Sequence, residues 1–303
     1  MAAACRRLGL DFMAVTDHHR YEPSREAIAA FANARHDLRI FAGEEVHPPD
    51  VPVHLVNFGG TFSVNALFRT ARYRRALARL AAELAPTCGP DVDPQHAAAC
   101  TWSCAQIEAG GGLAVYCHPH WVTGCAYNVG EGLNDWLFAH RPFHAFELIG
   151  GYHRHEVESN QLQVAWYHQQ RAAGRSVPIV GASDAHGCER GELFGWYYTI
   201  VLAPTADDLL ASVRDGLAVA VEALPGAPVQ AHGPYRLVKY ALFLLREILP
   251  AHDELCGEEG RLMLAHAAGD PEAAAGLERL GGRCARLYER LWQGAAPAAA
   301  RAG

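Results

Sequence analysis

The residues best suited to chemistry in this sequence are Asp184 and His186, which close the apolar run IVGASDAHG between Ile179 and Gly187. On extended backbone, side chains two residues apart project to the same side, so this pair can share one small target. Carboxylate oxygen and neutral imidazole nitrogen both bind zinc, manganese or iron, and the stretch therefore predicts a metal site. Ser183 is a poor candidate nucleophile, because the segment lacks the second glycine of a nucleophile elbow.

Further apolar runs predict strands, and most of them end in histidine or acidic residues. They are LDFMAVTDHH, LRIFAGEEVH, VPVHLVNFGG, GGLAVYCHPHW, AFELIGGYHRHE, GWYYTIVLAP and LAVAVEA. Helical stretches lie between them, including about 63–85, 94–109 and 157–174. Strands that alternate with helices predict a parallel sheet with polar strand ends around one mouth, as in a (β/α) barrel. An open doubly wound sheet is the competing α/β fold, but it gathers ligands at one switch point, so the barrel is favoured.

Composition indicates a single large core. The chain has 303 residues, 50% of them hydrophobic, enough for one barrel-sized domain with a small addition. With 26 basic and 33 acidic residues the net charge is −7, which argues against sequence-independent nucleic-acid binding. No uncharged apolar run is long enough to span a bilayer, and MAAACRRLGL contains no signal-peptide core, so we expect a cytoplasmic protein without a membrane partner. The nine cysteines contain no CxxC pair and are expected to be free thiols.

Five short strings at strand ends resemble the PHP family, the polymerase and histidinol phosphatase domain. They are Thr16-Asp17-His18, Gly43-Glu44-Glu45, His54-Leu55, His118-Pro119 and the stretch from Gly181 to His186. Each string is weak alone, but together they follow the order of the family over roughly residues 1–225. The resemblance implies a distorted seven-stranded, TIM-like (β/α) barrel that holds up to three divalent metals and hydrolyses phosphoesters.

The resemblance also implies which residues bind the metals. The implied ligands are Glu45, with His54 and His118 on the metal that it shares, Asp184 on another metal, and His18 with His186 on a third. We expect Glu45, His118 and Asp184 to be the catalytic residues. A zinc, manganese or iron ion with three protein ligands keeps a place for water and lowers the pKa of that water to about 7, which makes hydroxide available as the nucleophile. Glu44 should point to the opposite face, because adjacent strand residues alternate.

One family feature does not occur in the sequence. Members open with a strand that carries His-x-His, followed by another histidine near a Ser-Asp-Gly turn, whereas this chain begins inside what would be the first helix. We expect a truncated or misassigned start rather than a degenerate member, because the five later strings are intact. The remaining residues predict one nearly complete metal site, one with two histidines and one reduced to carboxylates, and hence impaired activity. The barrel is therefore expected to be N-terminally incomplete and open beside residues 11–16.

Several further residues are expected near the metals. Asp17 is predicted to orient a ligand histidine. The predicted substrate-binding residues are His19, His120 and Arg154. The guanidinium of Arg154 suits bidentate binding of a phosphate, and the alternative is a solvated arginine. His19 and His120, like His47, either line the substrate pocket or are ordinary loop residues.

The character of the sequence changes after residue 225. The linker PGAPVQAHGP precedes the helical stretches YRLVKYALFLLREIL, GRLMLAHAA and PEAAAGLERLGGRCARLYERLW. We predict a barrel domain over 1–225, a C-terminal helical appendage over 226–293 and a disordered tail over 294–303. The appendage should pack on the barrel or on a second copy of the chain, which would make a homo-oligomer.

The predicted function is metal-dependent hydrolysis of a phosphomonoester or phosphodiester, with a small metabolite or nucleotide as substrate. Two alternatives stay open. One is a catalytically impaired relative that uses the fold as a binding or scaffold module. The other is a metal-dependent hydrolase of amides or non-phosphate esters, because the same nucleophile attacks carbonyl carbon.

Overall fold

The computed structural model describes residues 1–153, 157–188 and 194–294, with side chains through residue 290. The helices are α1 (Ala2–Arg7), α2 (Glu22–Ala29), α3 (Ala71–Leu84), α4 (Pro94–Ala109), α5 (Glu131–His140), α6 (Val157–Ala172), α7 (Leu209–Arg214), α8 (Tyr235–Glu247), α9 (Leu249–Ala267), α10 (Ala273–Leu280) and α11 (Arg283–Gly294). The strands are β1 (Phe12–Ala14), β2 (Arg39–Phe41), β3 (Gly43–Val46), β4 (His54–Phe58), β5 (Leu113–Cys117), β6 (Val122–Thr123), β7 (Ala126–Tyr127), β8 (Ala145–Gly150), β9 (Ile179–Ala182), β10 (Tyr197–Val201), β11 (Ala218–Glu222) and β12 (Gln230–His232).

Two compact units make up the chain. The terminal unit consists of Met1–Met13, Ala27–Ile40 and Phe243–Gly303, and the sheet unit consists of Ala14–Glu26 and Phe41–Leu242. The terminal unit is thus built from three stretches that are far apart in sequence. A domain boundary at residue 225 stays a prediction.

A five-stranded mixed sheet lies at the centre of the sheet unit, with the strand order β3-β4-β5-β8-β9. Every residue of β5 and β8 is buried, because the strands are covered on both faces, and their sequences LAVYC and AFELIG are correspondingly apolar on both sides. The core beside them is rich in large aromatic side chains. Among these are Trp102, Tyr116, Phe138, Phe143 and Phe146.

Strand direction in this sheet differs from the prediction. The pairs β5–β8 and β8–β9 are parallel, as expected for strands joined through helices, but β3–β4 and β4–β5 are antiparallel. The loop between β3 and β4 is too short for the crossover that a parallel pair requires. No sheet of the described residues closes on itself, so the model shows a mixed α/β fold and the closed barrel stays a prediction.

The apolar runs identified in the sequence each contain a strand. Those near the end of the sheet unit form a separate antiparallel sheet in the order β10-β11-β12, and β6 pairs with β7 in a short hairpin. The helix predicted over 63–85 is interrupted: a 3-10 segment covers Asn65–Arg69 and α3 begins after Thr70. Thr70 has an extended conformation and its side-chain oxygen accepts a hydrogen bond from the Tyr73 N–H at 3.1 Å, which caps α3 at that point.

In the terminal unit, α1 packs directly against α9. Gly260 makes this approach possible, because a Cβ at that position would lie 2.6 Å from the Arg7 nitrogen and 2.7 Å from the Ala3 carbonyl oxygen. Arg6 is fully buried at this interface and forms ion pairs with Glu259 and Asp11. Buried charges of this kind persist only when they are paired, so these contacts fix how the helices meet.

Two further sequence predictions concern the C-terminal tail and membrane-spanning helices. The tail predicted to be disordered lies, from residue 295 onward, outside the described residues. Within the described part of the chain, none of the helices has both the length and the apolar character that crossing a bilayer requires.

Candidate metal centre

The register of the mixed sheet brings ligand-type residues to one edge. Glu45 pairs with Val56 across β3 and β4, and His54 pairs with Cys117 across β4 and β5. Val56 and His54 are two residues apart in β4, so their side chains lie on the same face. Glu45, which pairs with Val56, therefore points the same way as His54. The antiparallel direction of β4 matters here, since it places the first residue of that strand beside the last residues of β3 and β5.

A parallel bridge adds the segment after β1 to this edge. The bridge joins His18 to Glu45: the His19 N–H donates to the Glu45 carbonyl oxygen and the Glu45 N–H donates to the Asp17 carbonyl oxygen, each at 3.1 Å. His18 is thereby held next to Glu45 by backbone contacts, although the two residues are far from each other in sequence.

The Glu45 carboxylate is surrounded by four imidazole nitrogens. Oε1 lies 2.9 Å from His54 Nδ1, 3.3 Å from His47 Nε2 and 3.6 Å from His118 Nε2, and Oε2 lies 2.9 Å from His18 Nδ1. We call His18, Glu45, His47, His54 and His118 the Glu45 cluster. Oε1 is buried and accepts no hydrogen bond of good geometry among the described residues, even though three ring nitrogens approach it. The three ring nitrogens approach Oε1 but are not oriented to donate hydrogen bonds to it. This arrangement is the one expected of ligands around a cation.

Contacts between the rings support the same interpretation. His54 Nδ1 is 2.9 Å from His118 Nε2, and His18 Nδ1 is 2.9 Å from His47 Nε2. Each of these Nδ1 atoms is therefore equally close to a carboxylate oxygen and to a second ring nitrogen. Because one N–H can donate well to only one of them, hydrogen bonding alone satisfies these contacts poorly. A shared divalent cation satisfies them together, and the donor set of imidazole and carboxylate suits zinc, manganese or iron.

Charge in the cluster is strongly coupled. Burial alone would raise the pKa of Glu45, but the surrounding histidines hold that pKa well below its usual range. A hydrogen bond to Glu45 raises the pKa of His18 against the effect of burial. Burial works to lower the pKa of His118, yet Glu147 and Glu45 raise it well above its usual value. The carboxylates thus favour positive charge at His18 and His118, and a metal cation would take the place of those protons.

Glu147 is a component of the site that sequence reasoning left without a role. His118 turns Nε2 toward Glu45 and Nδ1 toward Glu147 Oε2, which lies 3.4 Å away. A carboxylate on the far nitrogen of a ligand histidine fixes the orientation of the ring. The ligand atoms of Cys117, His118 and Glu147 also lie within 4.8 Å of one another, and Glu147 Oε1 is buried without a hydrogen-bond partner among the described residues. Glu147 can therefore orient His118 or bind a metal itself.

Three of the predicted site residues have left-handed backbone. The φ angles are 60° at His19, 27° at His118 and 46° at Asp184. Such values are uncommon for residues with a side chain, and each stores strain that the surrounding structure must hold. At His118 the unusual turn directly follows β5 and redirects the chain so that the ring reaches the cluster.

Asp184 and His186 are not arranged as the sequence suggested. The left-handed conformation of Asp184 breaks the extended backbone on which the shared direction of the two side chains depended. Asp184 lines a narrow cavity with His118 and Glu147, whereas His186 Nε2 lies 3.2 Å from His18 Nε2. Burial, together with the Glu147 and Glu45 carboxylates, raises the pKa of Asp184 to about 7 against the opposing effect of His118. Asp184 belongs to none of the tight ligand groups among the described residues.

The residues predicted to surround the metals are placed differently from one another. The His19 ring lies 4.3 Å from the ring of His47 and so borders the cluster. His120 is turned away, with its ring against Tyr127 and Trp166. Its predicted substrate contact is therefore not supported, because these aromatic rings occupy its surroundings.

Two further predictions concern Asp17 and Arg154. The Asp17 side chain is exposed, and no hydrogen bond or ion pair joins its carboxylate to a described histidine. The orienting role of Asp17 stays a prediction, and its backbone oxygen accepts the hydrogen bond from the Glu45 N–H. The carboxylate that lies beside the His118 ring is that of Glu147. Arg154 lies outside the described residues.

Glu44 and Glu45 are adjacent in β3, so their side chains lie on opposite faces of the strand. The Glu44 carboxylate points away from the Glu45 cluster, accepts hydrogen bonds from the Ser63 hydroxyl at 2.8 Å and the Asn65 side-chain amide at 3.0 Å, and is also bonded to the Val64 N–H. Asn65 Nδ2 in turn donates to the Glu45 carbonyl oxygen at 2.8 Å. Glu44 therefore anchors the loop that supports the strand, while its neighbour faces the histidines.

Comparisons with known proteins add two similar structures. No family model matches the chain, and no curated protein matches it. A structure from Bacteroides vulgatus, described as a two-domain protein containing a predicted PHP-like metal-dependent phosphoesterase, is 15% identical with a TM-score of 0.41, over 73% of this chain and 60% of that one. A structure from Bifidobacterium adolescentis, described as a candidate metal-dependent phosphoesterase, is 17% identical with a TM-score of 0.41, over 70% of this chain and 88% of that one. This chain thus spans less than two thirds of the first structure.

Proposed function

We propose that this protein is a metal-dependent phosphoesterase whose active site is the Glu45 cluster. The observation that carries the proposal is the buried Glu45 carboxylate, with imidazole nitrogens at 2.9 Å from each of its oxygens and two more within 3.6 Å of Oε1. Phosphate esters are the favoured substrates because the five strings around these residues resemble the PHP family. The same resemblance supports a PHP-type (β/α) barrel as the fold of the domain.

The ligand geometry supports two neighbouring metal positions that share Glu45. His54 and His118 would hold one ion through Oε1, and His18 with His47 would hold the other, as the two tight groups of ligand atoms indicate. Divalent ions bound there would activate a water molecule and neutralise negative charge on a phosphate. Glu45 would contribute its carboxylate to both positions. His47 is a proposed ligand that the sequence prediction did not include among the metal-binding residues.

The remaining residues position the ligands and shape the cavity. Glu147 holds the His118 ring through its Nδ1, and His186 approaches His18 at the far nitrogen. Asp184 lines the narrow cavity beside His118, where its carboxylate can add a further ligand. The aromatic rings of Trp121 and Tyr152 stack on one another next to His118 and His186.

The proposal is tested by comparing hydrolysis of an aryl phosphate and an aryl acetate by the full chain, with added manganese, zinc or iron(II). His54→Asn removes a proposed ligand, and His96→Asn is the matched control, because His96 is similarly half-buried on α4 and, among the described residues, its ion-pair contact is with Asp93 at 3.9 Å. We expect metal-stimulated turnover of the phosphate that His54→Asn lowers by at least about 100-fold, whereas His96→Asn leaves it unchanged. Turnover of the acetate alone, or equal rates in the two variants, would contradict the proposal.

A further inference from the structure

A second group of ligand-type side chains lies in the terminal unit. It consists of Asp11 from the segment after α1, His252 and Cys256 from α9, and Cys284 from α11, and we call it the thiol cluster. One ligand atom from each residue lies within 4.8 Å of all the others. His252 is fully buried and the two cysteines are almost so, while the Asp11 side chain is half exposed. None of these residues belongs to the Glu45 cluster or to the family resemblance.

Two of three distances between neighbouring ligand atoms match the edges of a tetrahedron around zinc. Zinc binds thiolate sulfur at about 2.3 Å and nitrogen or oxygen at about 2.0–2.1 Å, so the edges should be roughly 3.8 Å between two sulfurs, 3.5 Å between sulfur and nitrogen and 3.3 Å between nitrogen and oxygen. The Sγ atoms of Cys256 and Cys284 are 3.7 Å apart, and Cys256 Sγ is 3.4 Å from His252 Nε2. The third distance, 2.9 Å between His252 Nε2 and Asp11 Oδ1, is shorter than the edge expected between nitrogen and oxygen.

The contacts behind the ligands are those that a metal site requires. His252 presents Nε2 to the cluster, and its Nδ1 is bonded to the Asp253 carboxylate at 3.0 Å, which sets the tautomer and holds the ring. Gly9, with a φ of 86°, leaves room for that carboxylate, since a Cβ there would overlap it. The Arg6 guanidinium donates to Cys284 Sγ at 3.3 Å and to Asp11 Oδ1 at 2.6 Å. A buried cation beside the Cys284 sulfur stabilises that sulfur as a thiolate.

We propose that Asp11, His252, Cys256 and Cys284 bind a zinc ion in a closed, four-coordinate structural site. Four protein ligands leave no position for water or substrate, which separates this site from a catalytic one. Two thiolates and one carboxylate bring three negative charges toward the two positive charges of zinc, and Arg6, which also pairs with Glu259, lies beside them. Zinc binding releases the two thiol protons, so the ion replaces them without changing the net charge of the site.

The site gives the terminal unit a cross-link that its sequence otherwise lacks. The unit is assembled from separate stretches of the chain, and the four residues of the thiol cluster come from α9, α11 and the segment after α1. A small unit with a limited core gains stability when a metal joins such distant elements. The ion would therefore hold the N-terminal segment against the two C-terminal helices within this unit.

Cobalt substitution of the full chain tests the site, because cobalt held by thiolates shows sulfur-to-metal charge-transfer absorption that nitrogen and oxygen ligands do not give. We expect these bands in the unsubstituted protein, their loss in Cys256→Ser/Cys284→Ser, and a fall of one bound zinc per chain in that variant. Cys125→Ser, which removes an exposed thiol, and Cys117→Ser, which removes the thiol beside the Glu45 cluster, should both keep the bands. Absence of the bands in the unsubstituted protein, or their persistence in the double variant, overturns the proposal.

A measurement without any substitution covers the case in which the double variant does not fold. The zinc-loaded protein is titrated with an organomercurial while zinc release is followed with a chromogenic chelator, and the mercury adducts are located by peptide mass spectrometry. Release of one zinc together with modification of Cys256 and Cys284 supports the site. No release, or release that accompanies modification of other cysteines alone, contradicts it and leaves the two thiols as a buried pair hydrogen-bonded to His252.

Discussion

The Glu45 cluster and the thiol cluster both concentrate metal-binding side chains, but they are built in opposite ways. In the sheet unit, nitrogen and oxygen ligands come from strand ends and their loops, and the side chains of His18 and His54 are partly exposed to solvent. In the terminal unit, two sulfurs and one nitrogen come from helices and one oxygen comes from the segment after α1, and they close around a single point. Ligand type and enclosure thus separate a site that can accept a substrate from one that can only hold its ion. The predictions below test this division.

The largest effect is expected from Glu45→Gln. The variant keeps the shape of the side chain but removes the charge that all four histidines face, so it should lower metal-dependent phosphatase turnover by at least about 1,000-fold, about 4 kcal/mol in activation free energy. Thermal unfolding should change little. Glu83→Gln, on the exposed surface of α3, is the control, and steady-state kinetics with unfolding monitored by circular dichroism measures both quantities. Retained turnover in Glu45→Gln would remove that residue from the active site.

The thiol cluster should show the converse behaviour. In Cys256→Ser/Cys284→Ser the loss of a bound ion should reduce the free energy of unfolding by about 2.7 kcal/mol when free zinc is a hundredfold above its Kd. Turnover at temperatures where the variant is folded should remain, because the sheet unit keeps all residues of the Glu45 cluster. Denaturant unfolding with and without zinc measures the difference. The structural role would be contradicted if the double variant had the same free energy of unfolding as Cys125→Ser, both with and without zinc.

A smaller effect should follow from Glu147→Gln. The amide can no longer hold His118 Nδ1 as an anion does, so metal affinity at the Glu45 cluster should fall by about 10- to 100-fold while the ligands themselves remain. Titration calorimetry with manganese measures the affinity, and saturating metal should restore most of the turnover. If saturating metal restores none of it, Glu147 is a metal ligand rather than an orienting residue.

The smallest effect is expected from Asp17→Asn. Its exposed carboxylate contacts no described histidine and its useful backbone oxygen is unchanged by the substitution, so stability and the activation barrier should both change by no more than about 0.5 kcal/mol. Parallel kinetic and unfolding measurements with the unsubstituted protein check this. A large loss of metal binding would restore the role that the sequence suggested for Asp17.

The sequence was sufficient to locate strands but not their directions. Each apolar run contains a strand, because burial on both faces selects continuous hydrophobic segments such as LAVYC and AFELIG. Whether neighbouring strands run parallel or antiparallel depends on pairing across the sheet, which local patterns do not encode. The antiparallel β4, with His54 at its start, is the clearest example.

The sequence also predicted part of the site. His18, Glu45, His54 and His118 were recognisable from strings at strand ends, and the structure brings them together. His47 was predicted only to line the pocket or to lie in a loop, and Glu147 was given no role, since the course of the chain after β3 and the register of β5 against β8 bring them to the cluster. The left-handed turn at Asp184 was not foreseeable from an apparently extended run. The thiol cluster had no motif at all, because its members span positions 11 to 284 and only the packing of α9 with its neighbours unites them.

The most direct test of the central claim is a crystal structure of the full chain soaked with manganese, with anomalous difference density collected to identify the ion. The account predicts density between Glu45 Oε1 and the nitrogens of His54 and His118, within about 2.0–2.3 Å of the carboxylate oxygen. Manganese bound elsewhere, with Glu45 still held only by its histidines, would contradict it.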